Sequence, residues 1–280
     1  MSRILYKYLD IDGAKCMIGN SNLQFTNVTR LNDPFDCHPS LIDHEKNIDP
    51  NSHWPKEWLI EKEVLDSTNL RNDTWLCSLS KINDSILMWA HYCYNHKGVC
   101  IGLDIEKAID SMPQMCGQIY LKPFPLEVQY MDKLVASNTY RPFEPYYHQL
   151  ATKAKDWEYE QEIRLIIPKP NPQYAAFNSE QAKINTPDKR WDWKEIRHFF
   201  PISGDCFESI YFGINTDPKE KEKIINYARK HLNPNIKLYQ MTIDDNAFRL
   251  KAEDITNISC ASNIELQKFY LHKHLHHQIK

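Results

Sequence analysis

In the segment KDWEYEQEIRLIIPKP, residues 155–170, three glutamates occupy every second position and run straight into an apolar stretch. The β-branched run at residues 163–167 predicts a strand, and Pro168 ends it. Strand side chains alternate between two faces. A strand beginning near Trp157 has Trp157, Tyr159, Gln161, Ile163, Leu165 and Ile167 on a core face. Its other face carries Glu158, Glu160, Glu162, Arg164 and Ile166. Neighbouring carboxylates oppose one another's ionisation, so such a row costs stability unless something neutralises or uses it. Arg164 can pair with one or two of them. The acidic face therefore borders either solvent, as an edge strand, or a cleft that employs its carboxylates. Periodicity leaves both open.

Other short apolar runs predict further strands: RILYKYL, SNLQF, DTWLCSLS, GVCIGLDI, FESIYFGI, IKLYQMTI and, at an edge, AFRLKAEDI. Helical patterns interrupt them. IDGAKCMIGN reads as a short helix, and NDSILMWAHYCYNH as a helix capped by Asn83, Asp84 or Ser85. EPYYHQLATKAKDW and PKEKEKIINYARKHL are also helical, the latter with Pro218 in its first turn. LNDPFDCHP is turn-rich. Residues 171–200 form a polar, Trp-containing excursion.

Composition narrows the chemistry. The net charge of −3 gives no global electrostatic case for nucleic-acid binding. Only 7 glycines are present, and neither GxGxxG nor GxxxxGK[ST] occurs, which argues against a glycine-rich phosphate cradle. The eight cysteines form no CxxC pair, so structural zinc is not supported. MSRILYKYLD carries no apolar signal core, and no apolar run approaches a membrane span. The expected compartment is the cytoplasm, with reduced thiols and no membrane partner.

Several constellations could carry chemistry. Ser78 and Ser80 in CSLS share a strand face and could orient a polar ligand or a carboxylate; paired strand serines are also common without function. In MWAHYCYNHKG, His91 and His96 are five apart, poor metal spacing, and most of the segment reads as core. Asn32, Asp33 and Asp36 in LNDPFDCH suit backbone capping, and with His38 they could ligate a metal. Lys7, between Tyr6 and Tyr8, is either an exposed edge charge or a point charge for a phosphate. His272, His274, His276 and His277 form a His-rich tail, about residues 265–280, read as structural or solvated.

LYKY, F(x)6NDPFD, SILMWAHYCYNHKGVCIGLDI, W(x)2E(x)E(x)R and SIYFGI occur in that order. Together they resemble the bacterial family catalogued as domain of unknown function 2971, along nearly the whole chain. That resemblance implies a setting among mobile and anti-phage defence genes, with some abortive-infection-like members and a defence-system protein partner. LYKY, then CSLS leading through a helix to GVCIGLDI, then EQE also resemble the three signature strands of mono-ADP-ribosyltransferases. Lys7 departs from the expected Arg or His, and CSLS lacks the middle Thr.

The second resemblance implies an enzyme that consumes NAD as substrate. Glu162 would hold the ribose and stabilise an oxocarbenium-like centre, and Glu160 would activate the acceptor. Ser78 and Ser80 would support Glu162 and the ribose. Lys7 would grip a phosphate, and Tyr6, Tyr8, Trp89 and Tyr92 would offer stacking surfaces. His91, Arg164, Asn32 and Asp33 complete the nucleotide-side candidates. The acceptor would be water, a protein or a nucleic acid. Two alternatives remain: a non-enzymatic sensor or partner-binding subunit, and a metal-dependent hydrolase or nuclease using Asp33, Asp36, Glu160, Glu162 and a His.

The expected fold is a single α+β domain over residues 1–280. It has two small, mostly antiparallel sheets around a cleft, with helical insertions at about 40–73 and 105–155.

Overall fold

A computed structural model describes residues 3–112, 122–137, 144–168 and 196–257. The chain begins with β1 (Ile4–Leu9), α1 (Ile11–Asn20) and β2 (Asn22–Asn27). The Asp10 carboxylate caps α1 on Gly13 N–H, and Ser21, at φ 44°, closes it. α2 (Lys56–Asn72) precedes β3 (Thr74–Ser80), which leads to α3 (Ile86–Tyr92), β4 (Val99–Asp104) and α4 (Ile105–Ser111). Ser85 is the α3 cap. Next come β5 (Phe124–Glu127), β6 (Gln129–Met131), α5 (Glu144–Ala151), β7 (Thr152–Ala154) and β8 (Glu162–Pro168). The described chain ends with β9 (Arg197–Pro201), β10 (Phe207–Phe212), α6 (Pro218–His231), β11 (Lys237–Ile243) and β12 (Leu250–Asp254).

The architecture is α+β, but the expected pair of small sheets is not what forms. Ten strands join one large mixed sheet in the order β12-β11-β10-β4-β1-β3-β2-β9, with β8 on β3 and β5 on β8. Strand β3 is the reason. β8 pairs along its whole length, Thr74↔Pro168 to Ser80↔Glu162, and fills one edge. The other edge is shared: β1 meets it at Tyr6↔Ser80, and β2 at Thr26↔Leu76 and Asn27↔Trp75. One strand thus fuses what would otherwise be separate sheets. β10 and β11 are parallel, joined through α6 as a parallel pair requires. Among the described residues, a second sheet holds β6 and β7.

The main core lies on one face of the large sheet. Leu5, Cys77, Leu79, Ile101, Ile163, Leu165 and Ile210 pack there against Ala14 and Ile18 of α1, Ala108 of α4 and Ile224 and Ala228 of α6. Two smaller apolar clusters cover the opposite face, one around Tyr8, Trp89 and Tyr211, the other around Leu76, Leu150 and Ile166. As expected, Ile163, Leu165 and Ile167 face the core and β12 is an edge strand.

Two local expectations need correction. The strand does not reach back to Trp157: residues Lys155–Glu160 form a 3-10 helix, and Gln161 at φ 43° turns the chain into β8. Glu158 is therefore exposed and never joins a carboxylate row. The insertion at 105–155 is only partly helical, since it holds β5, β6 and β7, and the helix predicted in EPYYHQLATKAKDW stops at Ala151. Most of the 171–200 excursion and the His-rich tail lie outside the described residues.

Candidate functional site

Glu162 and Arg164 are the first outward-facing residues of β8, on the face away from the main core. Register places them opposite Ser80 and Ser78 of β3. Arg164 has no solvent exposure. Its guanidinium forks onto Glu162, Nε to Oε1 and Nη2 to Oε2, both at 3.1 Å. Nη2 also donates to Asp36 at 2.8 Å, and Nη1 to the Leu150 carbonyl at 2.6 Å and to Cys37 Sγ at 3.3 Å. A planar five-donor group is the one side chain that can satisfy so many acceptors at once.

Lys153 of β7 completes the centre. Its Nζ lies 2.5 Å from Glu160 Oε2, 3.2 Å from Glu162 Oε2 and 3.8 Å from Asp36 Oδ2. All five groups are buried, so three carboxylates face two cations away from water. The Trp157 ring covers Lys153, with Nζ 5.0 Å from its centroid.

Backbone contacts lock both glutamates. Ser80 Oγ donates to the Glu160 carbonyl at 2.7 Å, and Tyr130 Oη of β6 accepts from Glu162 N–H at 2.8 Å. On the solvent side Tyr92 Oη, half-buried, donates to Glu160 Oε1 at 2.5 Å. Beside it His91 Nδ1 lies 3.0 Å from Tyr159 Oη.

The two glutamates are driven apart electrostatically. Burial raises the pKa of Glu160 and Glu162 adds to the rise, against Lys153 and Tyr92. Burial pushes the same way on Glu162, but Arg164 and Lys153, with hydrogen bonds from Arg164 and Ser78, hold it below the usual carboxylate range. Lys153, though disfavoured by burial, is kept protonated by Glu162, Asp36 and Glu160.

The sequence-derived candidates fall into three groups. Glu160, Glu162, Ser78, Ser80, Arg164 and Tyr92 meet in this centre. Asn32 lies beside Tyr92 and favours its ionised form, against burial and Glu160. Lys7 does not join the centre: alternation along β1 turns Lys7 to the side of Leu5 and the main core, where its Nζ donates to the Ser78 carbonyl at 2.8 Å. His91 lies exposed beside Tyr92, and the others pack elsewhere or turn the chain. Trp89 is fully enclosed, its indole N–H on the Asn83 carbonyl, and Tyr8 donates to the Ile82 carbonyl. Tyr6 lies edge-on to Tyr211 at 5.8 Å. Asp33 accepts from Phe35 N–H and holds the turn.

The structure adds Lys153, Tyr130 and Cys37 to the site. Asp36 enters as a partner of Arg164 rather than as a metal ligand. Lysine and arginine stand among these carboxylates where a metal reading needs an ion. Among the described residues no three His, Cys, Asp or Glu side chains gather as a metal site.

No curated protein and no solved structure matches the chain, so these comparisons lend no support to the transferase resemblance. Residues 88–165, from α3 through Tyr92, Lys153, Glu160 and Glu162 to β8, match the family described as Protein of unknown function (DUF2971).

Proposed function

We propose that the protein is an ADP-ribosyltransferase-like enzyme that breaks the nicotinamide–ribose bond of NAD and passes ADP-ribose to water or another acceptor. The supporting observation is the meeting of three segments distant in sequence. Tyr6, Ser80 and Glu162 are register neighbours across β1, β3 and β8. A transferase of the type the sequence resembles needs its three motifs side by side.

The split between the glutamates suits the chemistry. Nicotinamide departs with the electron pair of the broken bond and leaves a ribosyl centre of oxocarbenium character. Glu162, a fixed anion, stabilises that positive charge. Glu160, when ionised, takes the proton of the attacking water or acceptor hydroxyl and Tyr92 links it to solvent. Lys153 and Arg164 hold Glu162 in its ionised form. The toxin-like role in anti-phage defence and the cytoplasmic location rest on the family resemblance and the sequence, and are part of the proposal. Among the described residues no helix is long and apolar enough to cross a membrane.

One observation favours a second reading. Glu162 is 3% exposed with both oxygens held by cations, as befits a binding subunit whose cleft has closed. Purified wild type and Glu162→Gln, checked for fold by circular dichroism, are incubated with NAD, with and without cell lysate, and free nicotinamide is measured. Release by wild type alone supports the enzyme. NAD binding by calorimetry without release in any condition supports the binding subunit.

A further inference from the structure

Glu160 and Glu162 come from different kinds of backbone, the last residue of a 3-10 helix and the first of a sheet strand, with a left-handed residue between. Nothing in that connection fixes the distance between their carboxylates. Lys153 does, because one ammonium touches both. It is delivered by β7, whose only described strand partner is β6, from outside the large sheet. The same small ribbon supplies Tyr130, which takes the Glu162 N–H, while Val128 N–H, just before β6, donates to the Glu162 carbonyl at 3.1 Å. The ribbon therefore grips Glu162 through backbone and side chain together.

We propose that Lys153 is the positioning residue of the carboxylate pair: it draws Glu160 and Glu162 onto one cation and sets the pH at which Glu160 becomes charged. The groups facing Glu160 are Tyr92 of α3, Tyr130 of β6, Lys153 of β7, Glu162 of β8 and the neighbouring Tyr159. Asp36 and Arg164 form the next ring around Lys153 and Glu162. Lys153 is the one cation in contact with Glu160 among the described residues, at 2.5 Å. Arg164 is committed to Glu162 and Asp36 and cannot replace it. The catalytic consequence rests on the transferase reading; the electrostatic role does not.

The test is a carboxyl titration by NMR on full-length protein labelled with 13C-glutamate, the Glu160 resonance being assigned with Glu160→Gln. Lys153→Met is expected to move the Glu160 midpoint up by about one pH unit or more, as loss of an adjacent opposite charge does. Lys153→Arg keeps the charge and is expected to stay within a few tenths of wild type. Should Lys153→Met not fold, Glu162→Gln is compared with the Lys153→Met/Glu162→Gln double variant. That double variant removes one charge of each sign and leaves the buried sum as in wild type. The same upward step is expected there. A Glu160 midpoint unmoved by loss of Lys153 in either background overturns the proposal. An upward step supports it whether or not the protein turns over NAD, so its failure and that of the transferase reading are separable.

Discussion

Tyr92 donates its phenolic proton to Glu160 at 2.5 Å, and its half-buried ring stands between that carboxylate and solvent. Glu160 is itself 4% exposed. Tyr92→Phe keeps the ring packing and removes the donor. It is expected to cost about 1.5–3 kcal/mol in denaturant unfolding, the scale for a hydrogen bond to a charged group. It should also raise the Glu160 titration midpoint, because the lost bond favours the anion. A variant as stable as wild type with an unmoved midpoint would show that the contact carries no weight.

Stability should respond to pH in opposite senses through the two glutamates. Glu162 has a folded pKa below its unfolded value, so its contribution is present above the ordinary glutamate pKa, about 4.3. That contribution is lost as pH falls through the depressed folded value. Glu160 is raised, so its contribution is full below the ordinary value and is lost as pH rises through the raised one. Urea midpoints measured from about pH 3 to pH 8 should show a flatter acid limb in Glu162→Gln. Glu160→Gln should show less loss toward neutral pH. Parallel curves for wild type and both variants would contradict this assignment.

Arg164 should be the least replaceable side chain of the centre. Arg164→Met removes the guanidinium donors of Asp36, Glu162 and the Leu150 carbonyl and leaves Lys153 as the one cation beside both carboxylates. Removing one member of a buried ion pair costs about 3–5 kcal/mol. Arg164→Lys restores charge but not the fork, and should recover only part of the loss. Equilibrium unfolding of the three proteins decides it; a fully stable Lys variant would mean that charge alone suffices.

Gly98 seats β4 beside β1. A Cβ there would lie 2.0 Å from the Leu9 carbonyl oxygen, a backbone atom that cannot move aside without shifting β1. It follows Tyr94, Asn95 and His96, all left-handed at φ 46°, 55° and 63°, which carry the chain from α3 into β4. Gly98→Ala is expected to cost about 3 kcal/mol, the upper range for overpacking. If this connection also aims α3, the variant should weaken the Tyr92–Glu160 contact and raise the Glu160 midpoint. Thermal unfolding and the carboxyl titration report the two effects separately.

Much of the secondary structure was legible because it depends on nearby residues. Strands β1, β3, β4, β10 and β11 follow short apolar runs. Ser85 and Pro218 mark helix starts by local hydrogen bonding and fixed φ. The alternation of Ile163, Leu165 and Ile167 identified the face of β8 that meets the main core. The same reasoning failed three residues upstream. The glutamates have strand spacing, yet Glu158 and Glu160 lie in a 3-10 turn that left-handed Gln161 joins to β8, and period alone does not exclude that geometry.

The partners of the carboxylates were settled by tertiary structure. Lys153 lies in a stretch that reads as a helix, and nothing local distinguishes it from Lys155, which is exposed. Asp36 looked like a turn cap because its neighbours are turn formers; its reach to Arg164 spans 128 residues of sequence. Sheet pairing is equally non-local, so β3's double edge, which merges the sheets, was not readable from the strand itself. The sequence by itself determined which segments are strands and helices and which strand faces are apolar, since backbone preference and alternation act over a few residues. Only the tertiary structure decided which charges share the buried centre, because an ionised group can leave water only where distant segments bring it a counter-charge.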